Sequence, residues 1–118
     1  MKLKTNELTG AALSWAVGLA EGYELNLYGV DPSIRARVPG LGVHAPWAPQ
    51  RYWNQGGPII EREKLDVGWV ASDRCRATYD WLDEEFHEAF GPTPLIAAMR
   101  CYVASRLGDE VDVPEELV

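Results

Sequence analysis

The segment Thr93-Pro94-Leu95-Ile96-Ala97-Ala98-Met99-Arg100-Cys101-Tyr102-Val103-Ala104-Ser105-Arg106-Leu107-Gly108 has the clearest structural pattern in the chain. Its threonine is a typical helix N-cap, its proline suits the first helical position, and its final glycine can end a helix. The apolar residues at helical spacing are Ile96, Met99, Val103 and Leu107, flanked by Leu95 and Tyr102. The pattern predicts a helix from Thr93 to Leu107 that buries this stripe.

A second apolar helix is predicted near the amino end, from Leu8 to Gly22. Thr9 can cap it, Leu8 and Leu13 occupy the positions of a hydrophobic staple, and Gly22 can supply a left-handed stop. Because the segment carries almost no charge, we expect other elements to cover most of its surface.

A β-hairpin is predicted from the strand-forming residues at 67–71 and 74–79, with its turn at Ser72 and Asp73. Shorter strands are predicted within 23–28 and, around Val111 and Val113, in the acidic tail 109–118. Residues 80–90 have helical spacing. Together these elements predict one α+β domain over residues 1–118, in which two main helices pack on each other and on a small antiparallel sheet.

Residues 31–58 contain five of the eight prolines, so we expect a loop without regular structure. Trp47, Tyr52 and Trp53 are expected to pack this loop against the core, because exposed rings are unfavourable. One or two helical turns are predicted from Pro58 to Leu65, after a turn in which Gly56 and Gly57 adopt positive φ.

Composition limits the classes of function. The chain has 118 residues, a mass of 13.1 kDa and a net charge of −7, and residues 59–118 carry fourteen acidic and six basic side chains. This balance argues against direct binding to nucleic acid or anionic lipid. The apolar run at 11–20 is too short to span a bilayer, so we expect a cytoplasmic protein.

No residue pattern indicates a catalytic or metal site. The two cysteines, Cys75 and Cys101, cannot form a four-sulfur zinc site. Glu84 and His87 have an E-x-x-H spacing, but one copy does not make a di-iron site. Asp80, Glu84 and Glu88 recur every four residues, which favours a solvated face over a cation site. We therefore expect no metal, no cofactor and no catalytic residue.

Three stretches carry a further signal: KLKT, ELTGAAL and WAV within residues 2–17, WNQGGPIIERE at residues 53–63, and GPTPLIAAMR, VAS and GDEV within residues 91–111. Together they resemble the phage NinX-like family over about half of the chain, while Tyr23 to Gln50 matches weakly. The resemblance implies a small protein of tailed phages or prophages that acts in the bacterial cytoplasm. It implies no reaction and supplies no catalytic residues.

The candidate binding surface is built around residues 53–63, which combine an aromatic ring, a side-chain amide and charged groups. Its residues are Trp53, Gln55, Glu61, Arg62, Glu63 and Arg100. The alternative is structural: Trp53, Ile59 and Ile60 would anchor the loop, Arg62 would pair with a nearby acid, and Arg100 would pair with Glu61 or Glu63.

The leading functional hypothesis is a non-enzymatic accessory module that binds a host or phage protein. One alternative is an acidic decoy that mimics nucleic acid, with the carboxylates of 80–88 and 109–116 on one surface. A less favoured alternative is a small metal-dependent hydrolase that uses the same acids. Because so short a chain contains five tryptophans, a homo-oligomer with an aromatic interface is a further hypothesis.

Overall fold

The computed structural model describes residues 1–30, 33–40, 43–79 and 86–118. Within these ranges the chain forms an α+β fold with three α-helices, which are α1 Gly10–Glu21, α2 Trp53–Glu63 and α3 Pro94–Leu107. The strands are β1 Lys2–Lys4, β2 Glu24–Leu27, β3 Ile34–Arg37, β4 His44–Pro46, β5 Asp66–Ala71, β6 Arg74–Thr78, β7 Glu88–Gly91 and β8 Glu110–Asp112. Short 3₁₀ turns span Thr5–Glu7 and Glu115–Leu117.

The described strands form three antiparallel sheets. β1 pairs with β8, with Leu3 opposite Val111. The second sheet has the order β2-β3-β4 and the third has the order β5-β6-β7. In the third sheet Trp69 lies opposite Cys75, and Ala77 lies opposite Ala89. The expectation of a single small sheet is therefore wrong, although antiparallel pairing is confirmed.

Helix α3 lies at the centre of the molecule, against the β5-β6-β7 sheet on one side and against α1 and α2 on others. Thr93 caps it, because its Oγ1 accepts a hydrogen bond from the Ile96 N–H at 3.2 Å, and Gly108 follows its last turn. Burial extends beyond the predicted stripe to Ala97, Ala98 and Cys101, while Leu107 is exposed. The helix is covered on several sides, so one stripe does not describe its contacts.

Helix α1 is also confirmed. Gly22 ends it with a φ of 77°, the left-handed conformation predicted for that position. Thr9 occupies the N-cap, but its side chain makes no capping hydrogen bond. Leu13, Ala16 and Val17 are fully buried, and they belong to the same cluster of buried residues as Met99 and Val103 of α3.

The prediction of an irregular loop over 31–58 is wrong in three places. The strands β3 and β4 lie inside it, and α2 starts at Trp53, five residues before the predicted start. Ile34 and Ala36 alternate with Arg35 and Arg37, and both apolar residues are buried. The high proline content favours a loop prediction here, but strands of three or four residues are short enough to form in a segment with several prolines.

Helix α2 adds a third helix to the two main ones predicted: it includes the helical turns predicted from Pro58, starts five residues earlier, and contains Pro58 as an internal residue. Gly56 and Gly57 are helical and do not have the positive φ that we predicted. Gly56 is needed for a different reason. A Cβ atom there would collide with the Pro49 carbonyl oxygen and lie 2.7 Å from Leu95 Cδ2. The helix therefore packs with its backbone against its neighbours.

The helix predicted over 80–90 is wrong at its carboxyl end, because Glu88–Gly91 is a strand that pairs with β6. Ala89 and Gly91 are buried and alternate with less buried neighbours, the pattern of a strand with one covered face. Residues 80–85, which include Glu84 of the E-x-x-H pair, lie outside the described residues.

The hairpin and the tail strand are confirmed. β5 and β6 flank a turn at Ser72 and Asp73. In the tail, Val111 of β8 is buried, and so is Val113 just after the strand. Within the described ranges, none of the helices combines the length and apolarity that crossing a lipid bilayer requires.

Candidate binding site

Gln55 holds the chain that leads into α2. Its Oε1 accepts a hydrogen bond from the Ala48 N–H at 2.7 Å, and its Nε2 donates to the Pro46 carbonyl at 2.7 Å. Both ends of the amide are therefore used to close the turn between β4 and α2. This residue of the predicted binding surface has a structural role.

Arg62 and Glu63 belong to a cluster that ties the three helices together, called here the charge network: Glu21, Arg62, Glu63, Tyr79, Tyr102 and Arg106. Arg62 donates to both carboxylate oxygens of Glu21, at 3.0 and 2.8 Å, and to Glu63 at 2.9 Å. Tyr102 donates to Glu21 at 2.6 Å. The charges of Arg62 and Glu63 are thus matched within the protein.

The second carboxylate of the charge network has three donors. Glu63 accepts hydrogen bonds from Tyr79 at 3.0 Å, from Arg106 at 3.1 and 3.2 Å, and from Arg62. Burial acts to raise the Glu63 pKa, but the hydrogen bonds from Arg62, Arg106 and Tyr79 outweigh it and lower the pKa below its ordinary value. Glu63 is therefore held as a carboxylate.

The two tyrosines of the charge network act as hydrogen-bond donors. Burial raises the pKa of the Tyr102 hydroxyl, and the hydrogen bond to Glu21 raises it further. Burial likewise raises the pKa of Tyr79, beside Glu63. Both hydroxyls keep their protons at neutral pH, so the two tyrosines serve as hydrogen-bond donors to Glu21 and Glu63.

Arg100 binds two backbone carbonyls and no member of the charge network. Its Nε donates to the Leu8 carbonyl at 2.8 Å and its Nη1 to the Phe90 carbonyl at 2.8 Å. The pairing with Glu61 or Glu63 that the sequence suggested does not occur. Burial lowers the Arg100 pKa. This side chain joins α3 to β7 and to the chain that precedes α1.

Trp53 differs from these residues because 59% of its surface is exposed. Its ring lies along the first turn of α2, where a Cβ placed on Gly57 would be 3.8 Å from its Cε3 atom. Trp53 therefore does not anchor the loop in the core as the structural alternative required. Ile59, which is 2% exposed, does so. Glu61 is also exposed, on the outer side of the same helix.

Trp53 borders a cavity of about 480 Å³, called here the Trp53 groove. Residues from the amino ends of all three α-helices line it: Thr9, Gly10, Gln50, Arg51, Trp53, Thr93, Pro94, Leu95 and Ile96. This volume falls within the range of small-ligand and peptide pockets. The fold thus brings three distant parts of the sequence to one surface.

The electrostatics of the Trp53 groove differ from those of the chain as a whole. Among the described residues that line it, Arg51 is the charged one and none is acidic. The first turns of α1, α2 and α3 contain no acidic side chain. Helix amino ends carry partial positive charge. The described lining of the groove is therefore mostly apolar, with Arg51 as its charged side chain.

A second concave region consists of two adjoining cavities of about 490 and 580 Å³ that share Asn6, Glu88, Ala89 and Arg100. Asp109 and Glu110 also line it, together with Lys4, and Glu88 forms an ion pair with Arg76. Acidic and basic groups are mixed there. Glu116 of the tail lines a separate cavity beside Leu27 and Tyr28.

The metal-dependent alternative used the carboxylates of 80–88 and 109–116, of which those at 80–85 lie outside the described residues. In the part of the chain that the structure describes, no group of three or more histidine, cysteine, aspartate or glutamate side chains could hold a metal ion.

Sequence reasoning found Trp53 but missed the other groove residues. Arg51 lies in a segment that the sequence predicts to be irregular. One local signal is available: Arg51 directly precedes two aromatic residues, Tyr52 and Trp53.

The fold and these surfaces define a small α+β protein with a mostly apolar groove beside an exposed tryptophan. The chain belongs to the family described as "Bacteriophage P22, NinX", whose model matches residues 4–106. The match includes α1, α2 and nearly all of α3, and with them every residue that lines the Trp53 groove. A search of curated proteins finds no match to the chain. The family membership confirms the resemblance found in three stretches of the sequence and makes this a phage accessory protein.

Proposed function

We propose that this chain is a non-enzymatic accessory protein of a bacteriophage or prophage that acts by binding a protein of the host or of the phage. The Trp53 groove is its binding surface, and the bacterial cytoplasm is where it acts. The proposal includes neither direct binding to nucleic acid nor attachment to a membrane.

The contacts that the candidate residues make within the chain support this proposal. Gln55, Arg62, Glu63 and Arg100 all bond to other parts of the same chain, so their chemistry is committed to the fold. The observation that carries the proposal is Trp53, a large ring that is 59% exposed at the edge of a cavity. Exposed tryptophans beside a concave surface are typical of the residues that dominate protein–protein affinity.

The test compares two tryptophans that are equally exposed. Trp53 and Trp69 are each 59% exposed, but Trp69 lies in β5 and does not line the groove. The tagged protein and its Trp53→Ala and Trp69→Ala variants are used as baits in lysate of phage-infected cells, with bound proteins quantified by mass spectrometry.

We expect a specific partner that is retained by the wild type and by Trp69→Ala and is lost by Trp53→Ala. Thermal unfolding of each variant checks that the fold is intact. Equal recovery with all three baits would place the binding surface elsewhere, and no specific partner at moderate salt would count against a binding function.

A further inference from the structure

The outer face of the β2-β3-β4 sheet carries two arginines on one side of the same strand. Ile34 and Ala36 of β3 are buried. Because side chains alternate along a strand, Arg35 and Arg37 lie on the opposite side, toward solvent. The register of β2 and β4 places three further polar residues on this face. The set is called here the arginine face: Glu24, Asn26, Arg35, Arg37 and His44.

Arg35 is a cation without a hydrogen-bond acceptor among the described residues. Its Nε atom is buried and has no hydrogen-bond partner, although buried polar groups normally have one. The two terminal nitrogens of its guanidinium are not buried in this way, so a ligand can reach them. The guanidinium carbon lies 5.1 Å from the centre of the Tyr28 ring. This cation–π contact holds the guanidinium and leaves its in-plane N–H groups available as donors.

Arg37 adds a second guanidinium to the same face. Residues two apart in a strand are separated by about 7 Å, so the two long side chains can converge on one group. Arg37 is exposed, and in the described part of the chain no acidic residue forms an ion pair with it. Glu24, its neighbour in register, lies instead 3.4 Å from the His44 ring. A bound anion would relieve the repulsion between the two arginines.

We infer that the arginine face binds a phosphate group, with Arg35 and Arg37 both donating hydrogen bonds to its oxygens. The two oxygens of a carboxylate are satisfied by the fork of a single arginine. A phosphate monoester offers three acceptor oxygens and a charge of about −1.5 to −2 at neutral pH, which matches two guanidinium groups. This inference goes beyond the proposed function, because no residue of the arginine face lines the Trp53 groove.

The overall charge favours a single phosphate group over a nucleic-acid backbone. A net charge of −7 repels a polyphosphate along its whole length. A free phosphate or a small monoester meets only the local charge of the arginine face, which has two arginines and one glutamate. We therefore assign the face to these two sources of the same group and make nucleic acid an outcome of the test.

The experiment follows backbone and arginine Nε–H signals of the full-length ¹⁵N-labelled chain by NMR during titration. The probes are inorganic phosphate, phenyl phosphate, acetate and an oligothymidylate, all at constant ionic strength. The wild type is compared with Arg35→Gln, Arg37→Gln and Glu24→Gln. Arg74→Gln is the matched control, because it removes an exposed arginine of β6 that is not on the arginine face. Thermal unfolding of each variant checks that the fold is intact.

We expect both phosphate probes to shift the signals of β2, β3 and β4 and the Arg35 Nε–H. Arg35→Gln and Arg37→Gln should each weaken binding about tenfold, while Arg74→Gln leaves it unchanged. Glu24→Gln should strengthen binding about threefold, because it removes a negative charge from the face. Tighter binding of phenyl phosphate than of inorganic phosphate would identify a monoester as the ligand, and the reverse order would identify free phosphate.

Acetate that bound as tightly as phosphate would overturn the inference, because the face would then attract anions without selecting this group. Tighter binding of the oligothymidylate, counted per phosphate, would reassign the face to nucleic acid. Equal weakening by Arg74→Gln and Arg37→Gln, or no shifts in β2, β3 and β4, would also overturn it. If Arg35→Gln did not fold, the exposed Arg37 position would still decide the outcome. None of these results depends on Trp53, so the inference and the proposed function can fail separately.

Discussion

The Arg62 guanidinium binds the Glu21 carboxylate through two parallel hydrogen bonds, Nη1–Oε1 at 3.0 Å and Nη2–Oε2 at 2.8 Å. The two residues are 41 positions apart in the sequence. Glu21 is the last residue of α1 and Arg62 lies in the last turn of α2. The Glu21 side chain is 8% exposed. A buried carboxylate is thus compensated by a cation that reaches it from the surface.

Removing Arg62 should therefore destabilise the fold. Arg62→Met leaves the Glu21 carboxylate buried with fewer hydrogen-bond donors, and we expect the free energy of unfolding to fall by about 1–3 kcal/mol. This loss is smaller than for a fully buried ion pair, because the Arg62 side chain is half exposed. A double-mutant cycle with Glu21→Gln, measured by urea unfolding, should give a coupling energy of about 1 kcal/mol or more.

The control cycle combines Glu21→Gln with Arg74→Met, because Arg74 stacks on Phe90 at 4.0 Å and is outside the charge network. This pair should be additive within about 0.5 kcal/mol. If the Arg62 cycle were additive to the same degree, the bidentate pair would contribute nothing specific to stability.

The Glu63 carboxylate should make stability depend on pH. Its pKa is lowered in the folded protein, against about 4.3 in an unfolded chain. Its contribution is therefore complete above the unfolded pKa and is lost as the pH falls through the lower folded pKa. The difference in unfolding free energy between wild type and Glu63→Gln should be constant near neutral pH and should shrink in acid.

Urea unfolding at a series of pH values between about 3 and 7 measures this difference. Glu61→Gln is the matched control, because Glu61 lies two residues away on the exposed side of α2. Identical pH profiles for the two variants would show that the hydrogen bonds from Arg62, Arg106 and Tyr79 do not act on Glu63 as the structure indicates.

Helices α1 and α3 could be predicted because their signals are local. Thr93, Pro94 and Gly108 mark the ends of α3 within its own sequence, and Gly22 does the same for α1. The hairpin of β5 and β6 is equally local, since its turn joins adjacent strands. Such elements need no knowledge of the rest of the chain.

Helix α2 and strand β7 could not be predicted in this way, because tertiary packing overrides local preference there. Gly56, Gly57 and Pro58 oppose a helix by propensity, yet the Gly56 backbone fits closely against Pro49 and Leu95. Ala89 has helical spacing with its neighbours, but it is buried in a strand by pairing with Ala77. Both outcomes depend on residues distant in sequence.

In the candidate site, too, local features could be predicted from the sequence and features that depend on tertiary contacts could not. Trp53 was identified because a ring beside an amide and charged groups is a local pattern. The sequence leaves open whether Arg62 faces a ligand or an internal acid, since its partner Glu21 belongs to another helix. The groove itself required three separate helix starts to meet, which only the folded arrangement provides.

Gly56 and Gly57 should respond oppositely to alanine. A Cβ at Gly56 would collide with the Pro49 carbonyl oxygen, whereas at Gly57 its nearest neighbour is Trp53 Cε3 at 3.8 Å. We expect Gly56→Ala to cost about 1–3 kcal/mol through overpacking, and Gly57→Ala to stabilise by up to about 1 kcal/mol through helix propensity. Thermal unfolding compares them, and equal melting temperatures would refute the close approach at Gly56.

Arg100 should not be replaceable by lysine. Its planar guanidinium directs Nε to the Leu8 carbonyl and Nη1 to the Phe90 carbonyl, each at 2.8 Å, and a lysine ammonium cannot reproduce that fixed fork. Arg100→Lys should lower the free energy of unfolding by about 1–2 kcal/mol. Arg100→Met leaves both carbonyls without this donor and should lower it by about 2–4 kcal/mol.

Urea unfolding gives the order of stability, with Arg37→Lys in β3 as the control for the same substitution at an exposed site. The expected order is wild type, then Arg100→Lys, then Arg100→Met, with Arg37→Lys close to wild type. If Arg100→Met were as stable as the wild type, the two hydrogen bonds would be offset by the cost of burying the charge. Arg100 would then have no structural reason to be charged, and its place on the wall of the two adjoining cavities would become the reason to test it for ligand binding.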